Sequence, residues 1–139
     1  MTTSIILRTS TRYMCPPLLV FSIYLLLRGH HLPGGGFVGG LFAGSAFALY
    51  ALAFSVSSAR KVLRVDPRDL TAVGLTVALL SGIPPLFTQQ AFLTGTWWEI
   101  PLLGGGTLDL GTPLIFDIGV YLVVLGVLLT IVFVLGEEE

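Results

Sequence analysis

The sequence predicts an all-α membrane protein: four transmembrane helices in a single domain over residues 1–139, with both termini cytoplasmic. Two observations carry this fold class. Hydrophobic residues make up 54% of the chain and charged ones 11%, with a mean hydropathy of +0.92. An ordinary soluble domain is about 25% charged, so 7 Lys+Arg and 8 Asp+Glu are too few to coat a water-exposed surface. The charges are also segregated. None occurs over 29–59, 70–98 or 118–136, windows of 31, 29 and 19 positions, and about 20 apolar residues suffice to cross a hydrocarbon core of roughly 30 Å. A shorter window, 13–27, completes the set if Arg12 snorkels toward the headgroups.

The first helix is expected over 8–27. Pro16 and Pro17 lie inside it and remove two backbone donors, which predicts a kink or the start of its regular winding. Arg8 and Arg12 before an apolar run resemble a signal sequence, yet no small-residue cleavage site follows Leu25-Leu26-Leu27-Arg28, so the segment reads as a retained helix. The following stretch, with His30, Pro33, Gly34, Gly35 and Gly36, reads as a turn because breakers flank polar side chains.

The second helix is expected over 36–56. Gly36, Gly40 and Gly44 recur every four residues and make one smooth face for close helix approach. The charged stretch 57–69 reads as a polar loop. The third helix is expected over 70–87, with Gly74 and Gly82 in a second small-residue stripe and Pro84-Pro85 bending or ending it. These two stripes predict faces meant for other helices. Residues 88–111 read as a long loop with Trp97-Trp98 at headgroup level and Gly104-Gly105-Gly106 as a flexible turn. The fourth helix is expected over 112–135, capped by Thr112 with Pro113 in its first turn.

Orientation follows from the basic residues. Four spans place Arg8, Arg12, Arg60, Lys61, Arg64 and Arg68 on one side and Arg28 alone on the other, which makes the first side cytoplasmic.

Several chemistries are excluded. The formal net charge of −1 leaves no basic footprint for nucleic acid. Gly34 to Gly39 match Gly-x-Gly-x-x-Gly, but a dinucleotide fingerprint requires a preceding strand and an acid about 20 residues on. Adjacent His30 and His31 lack a third ligand, so no metal site is expected, and no cofactor. The lone Cys15 reads as a packing residue.

Asp117 is the informative residue. It lies about 7 Å inside the fourth helix, where an ionised carboxylate facing lipid is costly, so it should face protein or a wet cavity. Two readings stay open: an ion or proton site, or a carboxylate steadied by the helix N-terminus, a cation such as Arg28, or Tyr121 one turn on. With one intramembrane acid and no lysine, the chain reads as part of a transporter rather than the whole.

The runs Arg28-Gly29-His30-His31-Leu32-Pro33-Gly34-Gly35-Gly36-Phe37-Val38-Gly39-Gly40-Leu41 and Gly111-Thr112-Pro113-Leu114-Ile115-Phe116-Asp117-Ile118-Gly119-Val120-Tyr121 resemble the MrpB/MnhB family. That family supplies a small subunit of the multisubunit Mrp-type Na+/H+ antiporter. The resemblance implies partners among large proton-carrying subunits and other small membrane subunits, Na+ and H+ as transported ions, and a place in the prokaryotic cell membrane. It assigns no catalytic residue; Asp117 is the acid within the matched motif. The alternative is a homologous membrane subunit of an ion-pumping membrane-bound hydrogenase or related respiratory complex. An independent membrane enzyme would need a convergent nucleophile and base, and His30, Glu99 and Asp109 show no such arrangement.

Overall fold

The computed structural model describes residues 5–28, 35–83, 97–101 and 107–138. In chain order the elements are α1 (Ile5–Arg28), α2 (Gly35–Ala53), α3 (Val56–Leu63), α4 (Pro67–Leu80), the strands β1 (Trp97–Pro101) and β2 (Thr107–Gly111), and α5 (Thr112–Glu137). Among the described residues, three helices are long and apolar enough to cross a membrane: α1, α2 and α5, with mean hydropathies of 1.2, 1.6 and 3.0 over their most apolar windows.

The long helices lie side by side in the order α1, α2, α5, α4. Matching contacts give their directions. Arg8 Nε donates to Ala53 O at 3.4 Å and Cys15 Sγ to Ala46 O at 3.2 Å, so α1 and α2 are antiparallel. Gly36, Gly40 and Gly44 face Asp117, Tyr121 and Leu128, so α2 and α5 run parallel. Gly126 meets Pro67 and Thr71, while Gly119 meets Ala78, so α4 and α5 are antiparallel. One end of the row therefore gathers Arg8 and Arg12, α3 and the end of α5. The other gathers the end of α1, the start of α2 and the hairpin that leads into α5.

A row of helices has no interior comparable to a bundle. Only 11% of the α1 window, 44% of the α2 window and 28% of the α5 window is buried. The outward residues are apolar, including Val20, Phe21, Leu75, Leu79 and Ile131. The inward face of α1 carries the buried Thr11 and Ser22 and the half-buried Cys15. This apolar-out arrangement is what hydrocarbon solvent selects. The small core that exists, Ala43, Ala59, Leu125, Leu129 and Phe133, sits where α3 folds against α2 and α5.

Several boundaries differ from expectation. The first helix extends past both ends of 8–27 and stays helical through Pro16 and Pro17. The second stops at Ala53 rather than 56, because Ser55 adopts an extended backbone (φ −176°, ψ 163°) and its side chain accepts from Ser58 N at 3.0 Å. The expected polar loop 57–69 is mostly the amphipathic helix α3, with Val56, Ala59 and Leu63 along one face. It ends at Arg64, whose left-handed φ of 67° lets its N–H bond Arg60 O.

The third expected helix, 70–87, begins earlier and ends earlier. Asp66 caps it by accepting from Arg68 N at 2.9 Å, Pro67 fills its first position, and Ser81 and Gly82 form a turn. At 1.5 Å per residue α4 spans roughly 21 Å, short of a full crossing. Pro84 and Pro85 lie outside the described residues. The expected loop 88–111 contains an antiparallel hairpin, with Glu99 opposite Asp109 and Pro101 opposite Thr107; Gly104, Gly105 and Gly106 lie outside the described residues. The fourth helix runs two residues past 135 and includes Thr112.

Candidate functional site

The site is the seam where α1, α2 and α5 meet near the hairpin end. Its closeness comes from glycine. A Cβ on Gly36 would collide with the carbonyl oxygen of Asp117 and stand 2.9 Å from its carbonyl carbon. A Cβ on Gly39 would stand 2.7 Å from Ser22 O and 3.2 Å from the Tyr121 ring, and one on Gly40 2.9 Å from Tyr121 O. These approaches are below ordinary van der Waals contact, so the backbones of α2 and α5 touch because no side chain intervenes.

Polar groups occupy this seam. Ser22 Oγ donates to Leu19 O at 2.6 Å, which spends its proton, so the 3.0 Å contact with the Tyr121 hydroxyl has Tyr121 as donor. Ser22 is fully buried. Both of its hydroxyl bonds tie α1 into place, one along its own axis and one across to α5. Asp117 is half-buried one turn before Tyr121 on the same face of α5. The Tyr121–Ser22 pair thus places polar groups in the seam one turn beyond Asp117, whose backbone meets Gly36.

The residues singled out from the sequence distribute as follows. Gly36 and Gly40 line this seam, with Gly44 against Leu128 one turn further along. Gly74 packs on α5 as well, where its Cβ would come within 2.6 Å of Gly119 O, while Gly82 lies in the turn after α4. The helices that these stripes receive belong largely to this chain. Gly35 opens α2, and Arg28 is the last residue of α1. The Arg28 side chain lies outside the described residues, as do His30, Pro33 and Gly34. Among the described residues no group of three or more His, Cys, Asp or Glu side chains is placed to hold a metal ion.

Sequence reasoning missed Ser22, Gly39, Gly119 and Gly126. Gly119 and Gly126 are seven apart on α5 and both press against α4, where Cβ atoms would come within 2.6 Å of Ala78 N and of Pro67 O. Their heptad spacing is a readable signal. Ser22 has none, since nothing in its neighbourhood tells which face of α1 turns inward.

The comparisons with known proteins agree with one another. A family profile described as "Domain related to MnhB subunit of Na+/H+ antiporter" matches residues 6–130. The chain is 42% identical over 140 residues to a protein of Bacillus subtilis (strain 168) named as a Na(+)/H(+) antiporter subunit, covering 99% of this chain and 96% of that protein. It is 39% identical over 137 residues to the protein of the same name from Alkalihalophilus pseudofirmus, covering 97% and 94%. Among solved structures it resembles a chain of the Mrp complex from Dietzia sp. DQ12-45-1b, with a TM-score of 0.77 and 38% identity over 95% of this chain. It spans 14% of the length of that chain. On sequence and on fold, this chain belongs to the MnhB family of antiporter-related membrane subunits.

Proposed function

We propose that this chain is a small, multi-pass subunit of a multisubunit Na+/H+ antiporter in a prokaryotic plasma membrane. The observation that carries this reading is end-to-end similarity to relatives named as Na+/H+ antiporter subunits, 42% identity with 96% of the relative covered. The architecture supports it. A single row of helices with most of its apolar surface outward is suited to packing beside larger subunits. Among the acids whose burial is described, Asp117 alone is half-buried, which is too little for a proton route of its own. In the Mrp complex the corresponding segment is 14% of one much longer chain, which favours a large companion polypeptide as its immediate neighbour.

In this reading α1, α2, α4 and α5 all traverse the bilayer. The end that carries Arg8, Arg12 and α3 is cytoplasmic, with both termini. The chain has no catalytic chemistry of its own and holds no cofactor. Asp117 is the ion-pathway residue, with Tyr121 and Ser22 extending a polar lining below it. Arg28, at the end of α1, is its charge partner at similar depth.

Asp117→Asn tests this, because it keeps the shape and removes the charge. Sodium-dependent proton flux in inverted vesicles should fall roughly tenfold or more while subunit recovery from the membrane stays normal. A parallel loss of flux and recovery would make Asp117 a structural partner of Arg28, since an unpaired buried cation is costly. Full flux would remove it from both roles.

A further inference from the structure

The basic end of the row contains an arrangement that ion transport does not use. Arg8 and Arg12 lie one turn apart on the same face of α1, and both guanidinium carbons approach one ring, Phe54, at 5.7 and 5.5 Å from its centroid. Each gains a cation–π contact, yet two cations spaced i, i+4 repel. Arg8 Nε also donates to Ala53 O at 3.4 Å, whereas Arg12 has no ion pair among the described residues; Arg60, on α3, is engaged by Glu137 at 2.7 Å and by the Phe133 ring at 4.9 Å. Phe54 directly follows the last residue of α2, so the cluster stands at the level where a spanning helix leaves the hydrocarbon. The same face of α1 carries exposed apolar side chains on either side of the pair, Ile5 at 81% and Ile23 at 52% exposure.

We propose that Arg8 and Arg12, braced on the Phe54 ring, hold the phosphate of an anionic phospholipid, whose acyl chains run down the outer face of α1 past Ile23. A phosphate between the guanidiniums turns their repulsion into charge-assisted hydrogen bonds, and Arg presents the fork geometry that phosphate takes. Juxtamembrane basic clusters of this kind recognise anionic headgroups. The inference rests on the proposed membrane placement for the depth of the cluster, but not on which leaflet it faces.

The test uses the assembled complex in nanodiscs of equal phosphatidylcholine and phosphatidylglycerol, with a photoreactive probe of each lipid. The phosphatidylglycerol probe should label peptides containing Arg12 or Phe54 several-fold more than the phosphatidylcholine probe, and unlabelled phosphatidylglycerol should suppress it. Arg8→Gln combined with Arg12→Gln should cut labelling roughly tenfold or more, whereas Lys61→Gln should leave it intact. Equal labelling by both probes, or undiminished labelling in the double variant, overturns the proposal. So does a photoreactive group placed at Ile23 that yields adducts to a protein subunit instead of lipid. The competition arm needs only the wild-type complex, so it decides even if the double variant does not assemble. Antiport is measured with the same complex reconstituted in sealed vesicles, and its absence with lipid selectivity retained would count against the functional reading alone.

Discussion

Replacing Gly36 by Ala should damage the site through the backbone rather than through any lost contact. The added Cβ would meet three backbone atoms of Asp117: its carbonyl oxygen, its carbonyl carbon at 2.9 Å and its Cα at 3.0 Å. Carbon atoms pack best at about 3.5–4.0 Å, so the two helices must part locally by about 0.5–1 Å. No rotamer change can relieve this, because the obstacle is main chain. Overpacking of this kind costs about 1–3 kcal/mol. Alanine's preference for helix interiors offers little in return, since Gly36 is the second residue of α2, in its first turn. The net loss of about 1–2 kcal/mol should lower the apparent melting temperature of the detergent-solubilised complex by several degrees and displace Asp117, reducing sodium-dependent proton flux. Gly44→Ala is the comparison, because its Cβ meets only the Leu128 side chain, which can rotate away. Fluorescence-detected size exclusion across a temperature series reads both. A Gly36→Ala complex as stable as the wild type, or less perturbed than Gly44→Ala, would refute the reasoning.

Other expected outcomes follow from the same geometry. Gly119→Ala and Gly74→Ala each force apart the same contact of α4 on α5, so the double variant should lose less stability than the sum of the two, by the same melting assay. Ser22→Ala should cost more than Tyr121→Phe: the first strands the Tyr121 hydroxyl, worth about 1–3 kcal/mol when buried unpaired, whereas the second leaves Ser22 bonded to Leu19 O. Thr11 has a fully buried hydroxyl with no hydrogen-bond partner among the described residues, so Thr11→Val should be neutral or stabilising in the same assay. A cysteine at Gly105 should react with an impermeant thiol reagent on intact cells and one at Ser58 should not, with the opposite pattern reversing the proposed orientation.

What the sequence reveals of this fold depends on the kind of information each feature carries. The long helices α1, α2 and α5 are legible within a few residues because hydrocarbon excludes charge, and charge-free windows are visible in one dimension. The helix α3 is hidden by the same logic, since Arg60, Lys61 and Arg64 make its segment look like a loop. Its signals are Val56, Ala59 and Leu63 at helical spacing after Ser55. Asp66-Pro67 is the same start signal as Thr112-Pro113, and it sets the true beginning of α4. The hairpin is readable only in the alternation of Leu108 and Leu110 around Asp109.

The site divides the same way. Asp117 and Tyr121 share a face by helical arithmetic, four residues apart. That Ser22 completes their seam depends on how α1 is rotated, which no local pattern states. The parallel pairing of α2 with α5 likewise joins segments about 80 residues apart, a relation that no local pattern states. Periodic glycines announce that some helix comes close, but they do not say whether it belongs to the same chain.

The proposed role makes this chain a necessary subunit of a Na+/H+ antiporter. Its most direct test is to express the companion subunits with and without this chain and to measure sodium-dependent proton movement in inverted vesicles of an antiporter-deficient bacterial strain. Activity should be absent without the chain and restored when it is supplied, with the chain co-purifying with a large companion subunit. Equal activity in its absence would contradict the account.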